Sequence, residues 1–154
     1  DVTTLFKNPA CIEEMAQELV RIYQDKGITK VVGIESRGFV MGAILAQELG
    51  AGFVMARKPG KLPAETRKAT YLKEYGYDTI EIHADAITAD DVVLIHDDLL
   101  ATGGSMQAAY DLVQAFKPKH TYINFLIELQ MEGLEGRKAL GKDLDITTLL
   151  TINE

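Results

Sequence analysis

The segment that most constrains the fold is a short apolar run that leads into two acids and a glycine-rich turn, VVLIHDDLLATGGS at residues 92–105. Residues 92–95 are apolar and mostly β-branched, which predicts a central strand of a parallel sheet that is covered on both faces. Asp97 and Asp98 follow at the carboxyl end of that strand, where open α/β sheets bind their ligands. We therefore expect an α/β protein whose ligand lies beside these aspartates.

The turn after the acids predicts an anion site. Ala101, Thr102, Gly103, Gly104 and Ser105 precede a helical pattern of apolar residues. The two glycines allow successive backbone N–H groups to converge at the start of a helix, where a phosphate monoester can be held. The segment lacks the lysine of a Walker loop and the glycine pattern of a dinucleotide fold, so nucleoside triphosphates and NAD are poorer candidates.

The adjacent aspartates need partners other than that phosphate, because their carboxylates would repel it. Vicinal hydroxyls donate hydrogen bonds to a carboxylate, and Mg²⁺ bound to phosphates recruits further oxygen ligands or their waters. The pair therefore indicates a ribose 5-phosphate that carries additional phosphate.

These residues resemble the 5-phosphoribosyl 1-diphosphate (PRPP) motif of the type I phosphoribosyltransferases. GIESRGFVMG at 33–42, RKPGKLP at 57–63 and YLKEYGYD at 71–78 are similar, in order and spacing, to segments of the adenine phosphoribosyltransferases. The PRPP motif alone indicates the superfamily, whereas RKPGKLP followed by EYG favours the adenine enzymes. The resemblance implies a single domain over residues 1–154, with a mostly parallel central sheet flanked by helices and a flexible basic loop or flap. It also implies that the family's N-terminal hood segment, which covers the base, is missing before Asp1.

The resemblance implies transfer of the 5-phosphoribosyl group from PRPP to adenine in purine salvage, giving AMP and diphosphate. It further implies Mg²⁺, held mainly by PRPP and water, and a cytoplasmic homodimer. Two alternatives stay open, namely a phosphoribosyltransferase for xanthine, guanine or orotate, and a noncatalytic regulatory protein that senses PRPP. The acidic chain carries no appended DNA-binding segment, which argues against the usual form of that regulator.

The resemblance also assigns the residues that contact PRPP. The loop at 101–105 is expected to hold the 5-phosphate, and Asp97 and Asp98 to hold the ribose hydroxyls. The diphosphate is expected to meet the turn of Glu35, Ser36 and Arg37, with a cis peptide between the first two, as well as Lys58 and Lys61.

Positive charge is concentrated in one segment of a chain whose net charge is −7. Between Arg57 and Lys73 six basic residues accompany the single acid Glu65, and Pro59, Gly60 and Pro63 predict that this segment begins as a loop. A mobile basic loop can close over a diphosphate and release it. The net charge argues against nonspecific nucleic-acid binding. By resemblance, Arg57 is expected to reach across a dimer interface.

Three further residues receive roles from the resemblance. Glu74 is expected to assist proton movement on the purine, Tyr75 to order the flexible loop, and Leu99 to pack on the purine ring. With Arg37, the first two form the predicted catalytic group.

His96 departs from the family pattern, which has Val or Ile immediately before the acids. One interpretation is a half-buried histidine at a strand end that is hydrogen-bonded to the backbone. The other is a pH-sensitive neighbour of Asp97.

The remaining pattern predicts the order of elements and excludes some classes. Residues 39–46 form the longest nearly apolar stretch, which is too short to span a bilayer, and the single cysteine, Cys11, excludes an internal disulfide. The expected helices are 8–24, 39–49 and one after the glycine turn. The expected strands are 29–34, 53–57, 80–83 in an antiparallel pair, the motif strand, 120–128 and 148–152.

Overall fold

A computed structural model describes residues 2–73, 76–141 and 143–153. The elements, in chain order, are α1 (Val2–Phe6), α2 (Pro9–Tyr23), β1 (Lys30–Ile34), α3 (Gly38–Leu49), β2 (Gly52–Ala56), β3 (Thr66–Lys73), β4 (Gly76–His83), β5 (Val92–Leu100), α4 (Gly104–Gln114), β6 (His120–Gln130), α5 (Gly136–Leu140) and β7 (Asp145–Asn153). The start of α2 is the one predicted, since the Asn8 side chain accepts a hydrogen bond from the Ala10 amide at 3.0 Å.

Five parallel strands form the central sheet in the order β2-β1-β5-β6-β7. Its faces are covered by two apolar clusters. Leu19, Tyr23 and Met41 come from the α2 and α3 side, and Met106 and Leu112 come from the α4 side. The predicted α/β class with a mostly parallel sheet flanked by helices is confirmed.

The strands β3 and β4 form a separate antiparallel hairpin. Backbone hydrogen bonds between Arg57 and Glu81, at 2.9 and 2.7 Å, join β4 to the chain just after β2. The basic segment therefore begins as the predicted loop, but its second half, from Thr66 onward, is a strand of this hairpin.

Several bounds differ from the sequence prediction, among them those of β4, β6 and β7, and the sequence does not predict the short helices α1 and α5. The motif strand continues beyond the acids to Leu100, because β6 supplies a pairing partner as far as Glu128. The helix α5 has only five residues, too few for an apolar period to predict it. Within the described ranges, no helix is long and apolar enough to cross a membrane.

Candidate active site

The two acids lie on β5 beside the turn that ends β1. The carboxyl group of Asp98 is almost fully buried, with 3% of its side chain exposed, and its Oδ2 lies 2.9 Å from Arg37 Nε. This is an ion pair without hydrogen-bond geometry, and within the described residues Oδ2 has no hydrogen-bond partner. The backbone N–H of Asp98 donates to Asp97 Oδ1 at 2.8 Å. Arg37 thus contacts Asp98 by charge, and the buried Oδ2 keeps an unused capacity to accept a hydrogen bond.

The pKa of Asp97 is raised well above its ordinary value. Burial is the main cause, and the negative charge of Asp98 adds to it. The positive charge of Arg37 only partly offsets these effects. Ionisation of Asp97 beside Asp98 is therefore disfavoured.

The turn between β1 and α3 contains the predicted cis peptide between Glu35 and Ser36. Glu35 Oε1 accepts hydrogen bonds from Arg57 Nε at 3.1 Å and from the Lys58 amide at 3.0 Å. Burial opposes ionisation of Glu35, but these donors outweigh it and lower its pKa. Glu35 therefore anchors the basic loop to the turn, and within one chain Arg57 is held by Glu35 rather than extended away from it.

The glycine turn ends at the N-terminus of α4. Gly103 has a φ of +88° and Gly104 begins the helix, so the conformation of the turn requires glycine at 103. The first N–H groups of a helix have no partner within it, so those that open α4 are available to an anion. This geometry agrees with the anion site that the sequence predicts.

The hairpin lies over that turn. A Cβ at Gly104 would lie 3.5 Å from Leu72 O and 3.5 Å from Tyr71 Cδ2, so β3 contacts the start of α4. Burial, followed by the charges of Asp78 and Asp97, raises the pKa of Tyr71. Sequence reasoning missed Tyr71 as a site residue, and the only available signal was its alternation with Ala69 on the covered side of β3.

A cavity of about 200 Å³ lies between these elements. It is lined by Ile34, Glu35, Ser36, Arg37, Lys58, Tyr71, Ile80, Asp97, Asp98 and Ser105. Seven of the predicted site residues therefore meet at one place, and they come from four separate segments of the chain.

Other predicted residues lie outside that lining. Leu99 packs with the apolar cluster of α2 and α3, and Lys61 is exposed on the basic loop. Ala101 and Thr102 belong to the glycine turn but do not line the cavity. Glu74 and Tyr75 lie outside the described residues.

His96 is fully buried and binds a side chain rather than the backbone. Its Nδ1 lies 2.8 Å from Asn124 Oδ1. The amide nitrogen of Asn124 donates to the Thr147 carbonyl at 3.3 Å and to its hydroxyl at 3.2 Å, and that hydroxyl also hydrogen-bonds Tyr23. Because the carbonyl can only accept, Asn124 Oδ1 must face His96, and His96 Nδ1 must carry the proton.

Burial lowers the pKa of His96 to about 4, against smaller opposing effects of Asn124 and Asp98. The ring is therefore neutral near pH 7 and its Nε2, which is buried without a hydrogen-bond partner among the described residues, is a bare acceptor. This answers the question that the sequence left open, since a neutral ring adds no positive charge beside Asp97.

Comparison with known proteins agrees with this geometry. Residues 1–142 match the family model described as Phosphoribosyl transferase domain. The chain is 65% identical over 152 residues to an adenine phosphoribosyltransferase of Phocaeicola vulgatus, covering 99% of this chain and 86% of that protein. It is 58% identical over 152 residues to that of Bacteroides thetaiotaomicron, with 99% and 85% covered.

Solved structures show the same likeness. The adenine phosphoribosyltransferase of Rhodothermus marinus superposes with a TM-score of 0.91 at 47% identity, covering 99% of this chain and 85% of that one. The enzyme of Giardia lamblia, complexed with 9-deazaadenine, gives 0.92 at 42% identity, with 100% and 86% covered. The enzyme of Trypanosoma brucei, in complex with AMP, pyrophosphate and ribose-5-phosphate, gives 0.87 at 28% identity, with 98% and 68% covered.

Proposed function

The chain belongs to the adenine phosphoribosyltransferases, within the phosphoribosyl transferase domain family, and we propose that the cavity beside Asp97 and Asp98 is where it transfers the 5-phosphoribosyl group of PRPP to adenine. The products are AMP and diphosphate, and the reaction belongs to purine salvage. One observation carries the assignment of the site. The acids, the Arg37 turn and Ser105 of the glycine turn line a single cavity although they are far apart in sequence.

The glycine turn at 101–105 binds the 5-phosphate of PRPP. The support is its position at the N-terminus of α4, where backbone N–H groups and the helix dipole both favour an anion. Asp97 and Asp98 lie next to it and accept hydrogen bonds from the ribose hydroxyls. Asp98 Oδ2, which makes an ion pair with Arg37 but has no hydrogen bond among the described residues, is an acceptor that such a hydroxyl would satisfy.

Arg37 and Lys58, with the backbone of Glu35 and Ser36, bind the diphosphate. Both cations line the cavity, and the carboxylate of Glu35, which also lines it, already accepts hydrogen bonds from Arg57 and the Lys58 amide. Positive charge fixed in place before the reaction stabilises the charge that develops on a departing diphosphate. Lys61 adds to this charge when the basic loop closes.

Mg²⁺ enters with PRPP. Among the described residues there is no group of three or more His, Cys, Asp or Glu side chains that could hold a metal ion. The available protein oxygens are those of the two adjacent aspartates, which suits an ion that takes most of its ligands from phosphates and water. Bound there, Mg²⁺ would neutralise charge on the diphosphate.

The hairpin of β3 and β4 acts as a lid. A cavity of about 200 Å³ is smaller than the roughly 300–1,000 Å³ of ordinary ligand sites, which favours a hairpin that opens to admit PRPP. Tyr71 then closes over the ribose and its 5-phosphate, as its contact with Gly104 suggests. Glu74 and Tyr75 follow β3 in sequence, and we assign them the proton transfer on the purine and the ordering of the lid.

A second copy of the chain covers the outer edge of α3 and β2. Val40 and Met55 on this edge are 38% and 44% exposed, beside the half-buried rings of Phe39 and Phe53. Arg57 lies over the Phe39 ring at 5.9 Å, close enough to the edge to meet a partner. Analytical ultracentrifugation is expected to show a dimer that Met55→Glu weakens, and a monomeric wild-type protein would contradict this assignment.

The site is tested by removing Arg37, the cation that makes an ion pair with Asp98. Arg37→Ala is expected to lower kcat/KM for PRPP about 10²–10³-fold, the cost of removing one donor from a charge-stabilising site. Arg21→Ala is the matched control, because Arg21 makes an ion pair with Glu18 on the exposed side of α2, at 2.6 Å. If both variants keep wild-type kinetics, the cavity is not the site of transfer.

A further inference from the structure

An ion pair between a buried acid, Glu128, and a partly exposed arginine, Arg137, lies behind the glycine turn and outside the cavity that the aspartates line. Glu128 is 3% exposed at the end of β6, and Arg137 of α5 donates to both of its carboxylate oxygens. The distances are 3.1 and 3.2 Å from Nε and 2.9 Å from Nη2. The Nη1 of Arg137 donates to the Ile146 carbonyl of β7 at 3.1 Å. Arg137 thus holds α5 to two strands of the sheet.

The residue before Arg137 contacts the glycine turn directly. A Cβ at Gly136 would lie 2.6 Å from Ala101 O and 2.5 Å from Leu100 Cδ1, so only glycine fits there. From the other side, a Cβ at Gly103 would lie 3.0 Å from Gly136 O. The first turn of α5 is therefore packed against the backbone of the glycine turn without a gap.

The other member of the pair is tied to the same turn through the sheet. Glu128 lies opposite Leu100 in the pairing of β5 with β6, and Leu100 is the last residue before the turn. The glycine turn is therefore held from two directions, through the sheet to Glu128 and through Gly136 to Arg137. The ion pair joins these two supports.

Further hydrogen bonds hold the Glu128 carboxylate in place. Glu128 Oε2 also accepts a hydrogen bond from Gln130 Nε2 at 3.1 Å, and Oε1 accepts one from the Thr148 hydroxyl at 3.4 Å. The bond from Arg137 is the largest influence on the Glu128 carboxyl and lowers its pKa against the effect of burial. A two-pronged contact of this kind fixes orientation as well as distance.

We propose that Arg137 is a positioning residue that, through Glu128, fixes the glycine turn in the shape that binds the 5-phosphate. The inference rests on the proposed role of that turn. Loss of Arg137 should affect only some ligands, because the proposed diphosphate site is built from a different segment, the turn of Glu35 to Arg37. Loosening the glycine turn should weaken ligands that carry a 5-phosphate and spare inorganic diphosphate.

The test compares the binding of AMP and of inorganic diphosphate to full-length variants by titration calorimetry. Arg137→Gln is expected to raise the Kd of AMP about tenfold, which corresponds to about 1.4 kcal/mol, while the Kd of diphosphate stays within about twofold. Arg137→Lys keeps the charge but loses the two-pronged contact, so it should give a smaller change in the same direction.

Lys30→Met provides the matched control. It breaks another ion pair that a buried acid makes with a partly exposed base, Asp91 with Lys30 at 3.2 Å, at the opposite end of the sheet. We expect it to lower the thermal unfolding midpoint without changing the ratio of the two dissociation constants. If both Arg137 variants leave this ratio unchanged, or if Lys30→Met changes it equally, the inference is wrong. If the wild-type protein binds diphosphate but not AMP, the proposed role of the glycine turn is itself overturned.

Discussion

Gly38→Ala is the substitution that most sharply tests how the site is assembled. Gly38 opens α3, directly after Arg37, and the helix packs there against β5. A Cβ at this position would lie 2.9 Å from His96 O, 3.0 Å from Asp97 Oδ1 and 3.2 Å from Asp97 Cα. Two of these three atoms belong to the backbone of a central strand, so they cannot move aside easily.

The expected size of the effect follows from these contacts. Carbon atoms pack without strain at about 3.5 Å or more, so the start of α3 has to retreat by about 0.5 Å. Overpacking of this kind lowers the free energy of unfolding by about 1–3 kcal/mol. Arg37 moves with the helix, away from Asp98 Oδ2. A displacement of 1 Å in a catalytic group can cost ~10²-fold, so about half of that distance should lower kcat/KM for PRPP about tenfold.

The assay pairs steady-state kinetics with urea unfolding. Gly52→Ala is the matched control, because a Cβ there would meet only the flexible end of the Lys30 side chain, at 3.1 and 3.3 Å, far from the acids. We expect the control to keep the wild-type kcat/KM. If Gly38→Ala also keeps it, together with the wild-type stability, the close packing of α3 on β5 does not set the position of Arg37.

Three further predictions concern buried polar groups. Asp97→Asn should raise the stability near neutral pH and lower kcat/KM for PRPP. The pKa of Asp97 is raised in the folded state, so ionisation of this carboxyl above its unfolded-state pKa costs stability, and the asparagine variant avoids that cost. Thermal unfolding at pH 7 measures the change in stability. Asn124→Leu should lower the free energy of unfolding by about 1–3 kcal/mol, because it leaves the His96 Nδ1–H without an acceptor. A double variant that also carries His96→Val should recover part of that loss, as measured by urea unfolding. Burial opposes ionisation of Asp91, but the Thr88 amide, the Thr29 hydroxyl and the Lys30 ammonium outweigh it and lower the pKa of Asp91. Asp91→Asn should therefore be less stable than the wild type at pH 7, and this difference in stability should be lost as the pH falls below about 4.

The motif strand and its acids could be predicted because their signals are local. Continuous apolar residues, adjacent carboxylates and paired glycines each indicate their structure within a few positions. The strand, the acids and the start of α4 follow in the predicted order, although the strand continues past the acids to Leu100. The turn of Glu35 to Arg37 was likewise found at the end of a predicted strand. Its distance from the acids could not be read from sequence, because it depends on how closely α3 packs on β5.

Contacts between distant segments were missed for the same reason. Tyr71 faces the cavity only because β3 pairs with β4 and the hairpin folds back over α4. Arg137 meets Glu128 only because a short helix, which the sequence does not predict, follows β6. The sequence predicts a half-buried strand residue at His96, because no nearby residue indicates that its side chain binds Asn124, 28 positions away.

The most direct test of the account is the initial rate of nucleotide formation by the wild-type protein with PRPP, Mg²⁺ and each of four bases, adenine, guanine, xanthine and orotate. We expect AMP and diphosphate to form in equal amounts from adenine, with kcat/KM for adenine well above that for the other three bases. Faster conversion of another base would contradict the assignment to adenine. Tight binding of PRPP without any nucleotide product would contradict catalysis itself.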